Sequence, residues 1–212
     1  MVHVYYHIYA IEGVEDIIDE QLSLIKKYFD FPYILNVGIS IANQNESIEN
    51  ILKKFDKVRD VRAKGHEFVT LDLIENDKQK FGNSDYILYI HTKGASRIKN
   101  DNYNCMVGWR CYMNYFNIEK INNVFKIFEK TDYNTFGCNF IDSNNRPHYS
   151  GNFWWAKAEY IKTLNLSDVN KTNRGNAELK YIQMGKDWKP YSVHNANKNL
   201  YQYLIKREEY AK

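Results

Sequence analysis

His91, Thr92 and Lys93 close the run Tyr86-Ile-Leu-Tyr-Ile-His-Thr-Lys93, an apolar strand that stops on three polar groups able to handle an anion or a metal. Lys93 can neutralise a diphosphate as a point charge, with Arg97 and Lys99 as helpers in the same loop; the alternative is a solvated basic loop. His91 can ligate a metal through a neutral imidazole nitrogen or donate to a phosphate, and His148 and His194, at other loop ends, can converge with it. A second segment, His148-Tyr-Ser-Gly-Asn-Phe-Trp-Trp-Ala-Lys157, adds a different chemistry. Gly151 lets the backbone approach a ligand closely, and Asn152 offers both a donor and an acceptor to a sugar hydroxyl. Trp154 and Trp155 face opposite sides of an extended strand, so one can pack inward while the other forms a platform; the alternative is that both are structural. Glu178, shortly after Arg174 and Gly175, is the carboxylate best placed for acid/base work or for holding an acceptor hydroxyl. It fits equally well as a first-turn residue complementing a helix dipole.

Several enzyme classes are disfavoured by motif. The chain has no His-Glu-x-x-His, Cys-His or Ser-His-Asp arrangement to favour a protease or esterase, and neither a Gly-x-Gly-x-x-Gly nor a Walker sequence. Cys105, Cys111 and Cys138 are odd in number and form no Cys-x-x-Cys pair, which disfavours a disulfide framework and a zinc knuckle.

These residues need elements to hold them, and the hydrophobic periodicity supplies an alternation of strands and helices. Val2 to Ala10 reads as a buried first strand and Val14 to Tyr28 as a helix. Tyr33 to Ala42 is a second strand, and a helix opens at Asn45, Glu46 and Ser47 and carries Ile48, Ile51, Leu52 and Phe55. His66 to Thr70 is a short extended piece before a helix over Leu71 to Phe81, and Tyr86 to His91 is the central strand. Met106 to Asn117 and Ile118 to Thr131 read as helices, Thr135 to Ile141 as a strand, and Asn152 to Trp155 as a strand passing into a helix near Lys157 to Leu164. A helix over Ala177 to Met184, a strand over Pro190 to His194 and a closing helix over Leu200 to Tyr210 complete the chain. The expected architecture is a single α/β domain over residues 1–212, whole or part of a longer chain: three layers, with a mostly parallel, mixed central sheet flanked by helices. In such a sheet the ligand sits at the carboxyl ends of the strands, where the winding reverses.

Composition agrees with a globular enzyme. The apolar fraction is 44% and the charged fraction 26%, with no apolar run of membrane-spanning length and no secretory leader, so the expected compartment is the cytoplasm of the producing or host cell. A net charge of +3, with basic residues dispersed, argues against nucleic acid as a partner. Aromatic residues make up 16% of the chain, 18 of them Tyr, which suits sugar rings and bases as well as a core.

Taken together, His7-Ile-Tyr-Ala10, Thr70-Leu71, Tyr86 to Gly94, Trp109 and the His148 to Lys157 segment with Tyr160 and Leu164 resemble small glycosyltransferases of GT-A fold, of the kind found in polysaccharide and capsid-glycan pathways of bacteria and large algal viruses. The resemblance runs from about residue 4 to 182. It implies a glycosyltransferase moving a hexose or deoxyhexose from a UDP-sugar to a glycan or glycoprotein acceptor. It further implies nucleotide contacts at Tyr9, Ala10, Ile11, Thr70, His91, Thr92 and Lys93, and sugar contacts at Gly151, Asn152, Trp154 and Arg174. Lys93 and Glu178 would carry the catalysis. Where relatives place Asp-x-Asp around a manganese ion, this chain reads His91-Thr92-Lys93; a divalent cation, Mn²⁺ in relatives, would then fall to His91 and His194, or Lys93 would replace it electrostatically. The alternative function is a non-catalytic module that binds a nucleotide sugar or carbohydrate.

Overall fold

The computed structural model describes residues 1–43, 47–142 and 146–211. Its first half follows the expected alternation: β1 (Val2–Ala10), α1 (Glu15–Tyr28), β2 (Tyr33–Ile41), α2 (Glu49–Leu52), β3 (Asp60–Arg62), α3 (Phe68–Asp77) and β4 (Tyr86–His91). The second half runs α4 (Tyr103–Asn114), α5 (Ile121–Lys130), β5 (Thr135–Gly137), β6 (Phe140–Ile141), β7 (His148–Tyr149), β8 (Trp154–Lys157), α6 (Ala158–Ile161), α7 (Asn176–Leu179) and β9 (Pro190–Ser192). The protein is thus an α/β molecule with a mixed, mostly parallel sheet between helices.

The seven-stranded sheet has the order β3-β2-β1-β4-β8-β5-β9. Strands β1, β2, β3 and β4 are mutually parallel, β8 runs antiparallel to both its neighbours, and β9 is parallel to β5. From β1 the chain winds outward to β2 and β3, then returns to place β4 on the other side of β1. The carboxyl ends of β1 and β4 therefore flank the point where the winding reverses, the usual ligand crevice of an open α/β sheet. Because β8 alone is reversed, its leading segment, Gly151 to Phe153, arrives at that same rim.

Strand residues alternate between two cores. Leu88, Ile90 and Trp155 pack with α1, α4 and α5, whereas Ile87, Tyr89 and Trp154 pack with α3, α6 and α7. Both tryptophans are fully buried. Truncation of either to Ala would cost about 3–5 kcal/mol. Helix α1 shows why the amphipathic segments were legible: Ile17, Ile18, Gln21 and Ile25 form its buried stripe, with Glu15 and Asp16 in the first turn and Lys26 and Lys27 in the last to complement the dipole.

Elsewhere the structure departs from expectation. The 66–70 piece is not extended: α3 begins at Phe68, and the extra strand is the three-residue edge β3. The first turn of α3 buries Phe68, Val69, Thr70 and Leu71 in succession, so the polar face formed by Asp72, Glu75 and Asn76 begins too late to betray the period there. It packs close to β2, where Gly38 faces the Thr70 hydroxyl with no room for a Cβ. The Asn45–Glu46 opening of the second helix lies outside the described residues, and α2 is a single turn. The two central helices are joined by a π-helical turn at Tyr115–Glu119. The 135–141 strand breaks after Gly137; Asn139 takes a left-handed φ of 54°, and β6 leaves the main sheet to pair with β7. No helix covers 200–210, where a strap carries one 3-10 turn, Arg207–Glu209. Its buried residues, Leu200, Ile205 and Tyr210, recur every five positions, a spacing that turns around a helix instead of lining one face. Among the described residues no helix is long and apolar enough to cross a membrane.

Candidate functional site

An open cleft, with about 190 Å³ of space that water can enter, lies over the carboxyl ends of β1 and β4. Six chain segments line it: His7 and Tyr9 from β1, His66 and Glu67 before α3, the loop from His91 to Arg97, Met106 of α4, the segment from Arg174 to Glu178, and Tyr201 of the strap.

The loop after β4 is held firmly. The Tyr9 backbone N–H donates to Thr92 Oγ1 at 3.0 Å, and Arg110 Nη1 donates to the Lys93 carbonyl at 3.0 Å. Arg110 is itself buried and paired with Glu20 of α1 through Nε and Nη2, at 3.1 and 2.8 Å. Thus α1 and α4 together set the height of Lys93. The Lys93 ammonium lies 3.8 Å from the Trp109 ring centroid and 5.6 Å from that of Tyr201. Among the described residues it has no carboxylate within 4.0 Å. Burial lowers its pKa and nearby Arg97 adds to this, against the pull of Glu178 and Glu67. An ammonium held only by aromatic faces gains a partner when an anion enters.

His7 stands behind this wall, its Nδ1 3.0 Å from Thr70 Oγ1 and its Nε2 3.1 Å from Ser40 Oγ. Burial pushes its pKa down to about 3, so the ring is neutral. His91 Nε2 donates to the Gly151 carbonyl at 2.8 Å, and the Gly151 N–H donates to Glu178 Oε1 at 2.6 Å. The Gly151 backbone, through its N–H and its carbonyl, therefore links the β4 end to Glu178. Asn152, at φ 56°, accepts from Trp154 Nε1 at 3.0 Å and donates through Nδ2 to Glu67 Oε2 at 2.6 Å. The same carboxylate oxygen accepts from Tyr89 Oη at 2.8 Å. Burial would raise the Glu67 pKa, but His91, His7 and the donors Tyr89 and Asn152 outweigh it and hold the carboxyl below its ordinary value.

Of the residues singled out in the sequence, Tyr9, His91, Thr92, Lys93, Arg97, Arg174 and Glu178 line this one cleft. Others stand back from it. Ala10 is fully buried, Ile11 packs on the core, and Thr70 is a buried partner of His7. Gly151 and Asn152 shape the wall from behind instead of facing a sugar. Trp154 offers no stacking platform: it is fully buried against Tyr89, with ring centroids 5.1 Å apart and planes at 18°. His194 lies elsewhere, 3.0 Å from Tyr112 Oη and stacked on Phe116, so it does not pair with His91. Among the described residues no group of three His, Cys, Asp or Glu side chains converges to hold a metal ion. His91 already commits Nε2 to a carbonyl, so the His91 and His194 donor set does not fit a divalent cation. Glu67, His66, His7 and Tyr201 were missed in the sequence. Only the Gly65-His66 pair hinted at a backbone turn there, and nothing local marks Tyr201.

The fold and cleft define an α/β protein with a cationic pocket at the switch point of its sheet. The chain belongs to the family described as a domain of unknown function (DUF8361), whose model matches residues 3–204. No curated protein matches its sequence. Among solved structures, it is similar to a 4-diphosphocytidyl-2C-methyl-D-erythritol synthase at 10% identity, with 99% of this chain and 95% of that chain covered and a TM-score of 0.43. It is also similar to the 2-C-methyl-D-erythritol 4-phosphate cytidylyltransferase of Francisella tularensis, at 12% identity, 99% and 96% coverage and a TM-score of 0.42.

Proposed function

We propose that the cleft binds the diphosphate of a UDP-sugar and that the protein is a glycosyltransferase moving a hexose or deoxyhexose to a hydroxyl of a glycan or glycoprotein. The observation that carries this is the convergence of Lys93, Arg97 and Arg174 on a cleft that also holds Glu67 and Glu178. No hydrogen bond or ion pair ties the side chains of these three cations to a carboxylate among the described residues. Cations without a carboxylate partner, in a cleft that also offers two carboxylates, suit a substrate with an anionic leaving group and a nucleophilic hydroxyl. A unit charge about 4 Å from a phosphate oxygen is worth roughly 4 kcal/mol at an effective dielectric of 20. Lys93 would stabilise the departing diphosphate without any step passing through a metal. Arg97 and Arg174, on exposed loops, would close over its remaining oxygens, and Glu178 would engage an acceptor hydroxyl.

A thermal-shift screen of uridine, guanosine and cytidine diphosphates, with and without Mn²⁺, tests the proposal. Selective stabilisation by UDP, lost in Lys93→Ala, is expected. Absence of any shift sinks it. A shift with no hydrolysis of any UDP-sugar would instead favour the non-catalytic binding module.

A further inference from the structure

Glu67 is the most deliberately held side chain in the cleft. Residues Gly65 and His66, at φ 129° and 48°, turn the chain so that Glu67 enters the pocket immediately before α3. On the far side, Asn152 at φ 56° delivers its amide to Glu67 Oε2. His66 and Asn152 are two of the five non-glycine residues with positive φ among the described residues, and both adjoin this one carboxylate. Such conformations cost about 1–3 kcal/mol each and persist where the surroundings over-determine them, as at functional sites. Both donors are fixed in turn. Asn152 is oriented by Trp154 Nε1, and Tyr89 stacks on the Trp154 ring. Tyr89 is buried, which raises its pKa well above the ordinary value and keeps the phenol a donor. Two donors therefore occupy Oε2, while Oε1 has no hydrogen bond among the described residues and is not buried. Glu178 is held more loosely, by one backbone N–H, on the four-residue helix α7 that follows the exposed segment 170–174.

We infer that Glu67, through its free Oε1, is the proton acceptor of the transfer reaction, with Tyr89 and Asn152 as its positioning residues, an inference that rests on the diphosphate cleft proposed above. The acceptor O–H gives its proton to Oε1 as its oxygen bonds to the sugar C1. The bond from C1 to the diphosphate oxygen breaks, and its electron pair leaves on the diphosphate, facing Lys93. Glu178 then holds the acceptor without taking the proton. The charged and titratable groups that face Glu67 are His7 from β1, Tyr89 and His91 from β4, Lys93 from the following loop and Tyr201 from the strap.

The test measures UDP release from UDP-glucose, UDP-galactose and UDP-N-acetylglucosamine with water as acceptor, alongside the thermal shift with UDP, for the full chain and its Glu67→Gln and Tyr89→Phe variants. Glu67→Gln keeps the shape of the side chain. It is expected to retain the UDP shift and lose at least 100-fold in kcat, with KM changed less than threefold. Tyr89→Phe removes one donor from the ionised carboxylate, so the acid limb of its kcat profile moves to higher pH and kcat falls about tenfold. That displacement separates positioning from mere packing. A Glu67→Gln enzyme with kcat within threefold of wild type, or a loss appearing only in KM, overturns the inference and leaves the diphosphate cleft standing. A wild type that binds UDP but hydrolyses none of the three donors also overturns it, whereas a wild type unmoved by any diphosphate overturns the cleft proposal and the Glu67 role together.

Discussion

Gly151 concentrates the structure's demands on one residue, and Gly151→Ala should reveal them. Its φ of 98° lies where an L side chain is strained, which costs about 1–2 kcal/mol. An added Cβ would also run into Met113 Sδ and approach Trp109 Nε1 at 3.0 Å and Met113 Cε at 3.1 Å, overpacking worth about 1–3 kcal/mol. The sum is about 2–5 kcal/mol, or a Tm lower by roughly 5–15 °C for a chain of this size. Urea and thermal melts of the purified variant measure it, with Gly82→Ala as control. Gly82 has no left-handed φ, and a Cβ there would meet only the Asp85 carboxylate, no closer than 3.3 Å. A double-mutant cycle with Met113→Ala divides the cost: in that background the part due to Met113 should vanish, leaving about 1–2 kcal/mol of backbone strain and the close approach to Trp109 Nε1. Because the two peptide groups flanking Gly151 bond His91 and Glu178, UDP binding should weaken as well. A Gly151→Ala protein less than about 1 kcal/mol weaker than wild type would refute the close approach of α4 to this turn.

Three further outcomes are expected. At a UDP concentration about 100 times Kd the wild type should gain roughly 2.7 kcal/mol, and Lys93→Ala, read by the same thermal shift, should lose most of it while retaining its unliganded Tm within a few degrees. His7 has its folded pKa depressed to about 3, so the unfolded chain takes up a proton below about pH 6.5 that the folded chain refuses; stability should fall as pH drops from 6 to 4.5, by about 1.4 kcal/mol per unit from this residue, in urea melts, and His7→Gln should flatten that slope. Glu20→Ala strands the buried Arg110 guanidinium and should cost about 3 kcal/mol in chemical denaturation, near the low end for a broken buried pair because the Glu20 side chain is 31% exposed; a loss below about 1 kcal/mol would show that Arg110 draws little from it.

The framework of the fold was legible because β1, β2 and β4 are nearly continuous apolar runs and α1 and α5 carry one clear stripe each. Segments buried on every side defeat the same logic: Phe68-Val-Thr of α3 looks extended for want of a polar face. The strap from Leu200 to Tyr210 mimics a helix in composition but buries every fifth residue. Within the site, Lys93, His91 and Thr92 were readable because a strand ends on them, and Glu178 because it follows a glycine loop. Glu67 was not, since its importance comes from Asn152 and Tyr89, which are 85 and 22 residues away in sequence. The tryptophan pair misled for a related reason. Alternation assigned the two rings to opposite faces of the sheet, but both faces are covered.

Tyr201 gives the cleft a consequence for biosynthesis. The Lys93 ammonium rests between a ring on α4 and this ring, which the chain supplies more than a hundred residues later. A nascent polypeptide that has reached α7 already owns every cation of the cleft, yet lacks one wall of the cage and the β9 partner of β5. Contacts this distant in sequence form late, after their loop-closure entropy has been met. Anion affinity should therefore appear only when the last strap docks, which makes ligand binding a report on completed folding.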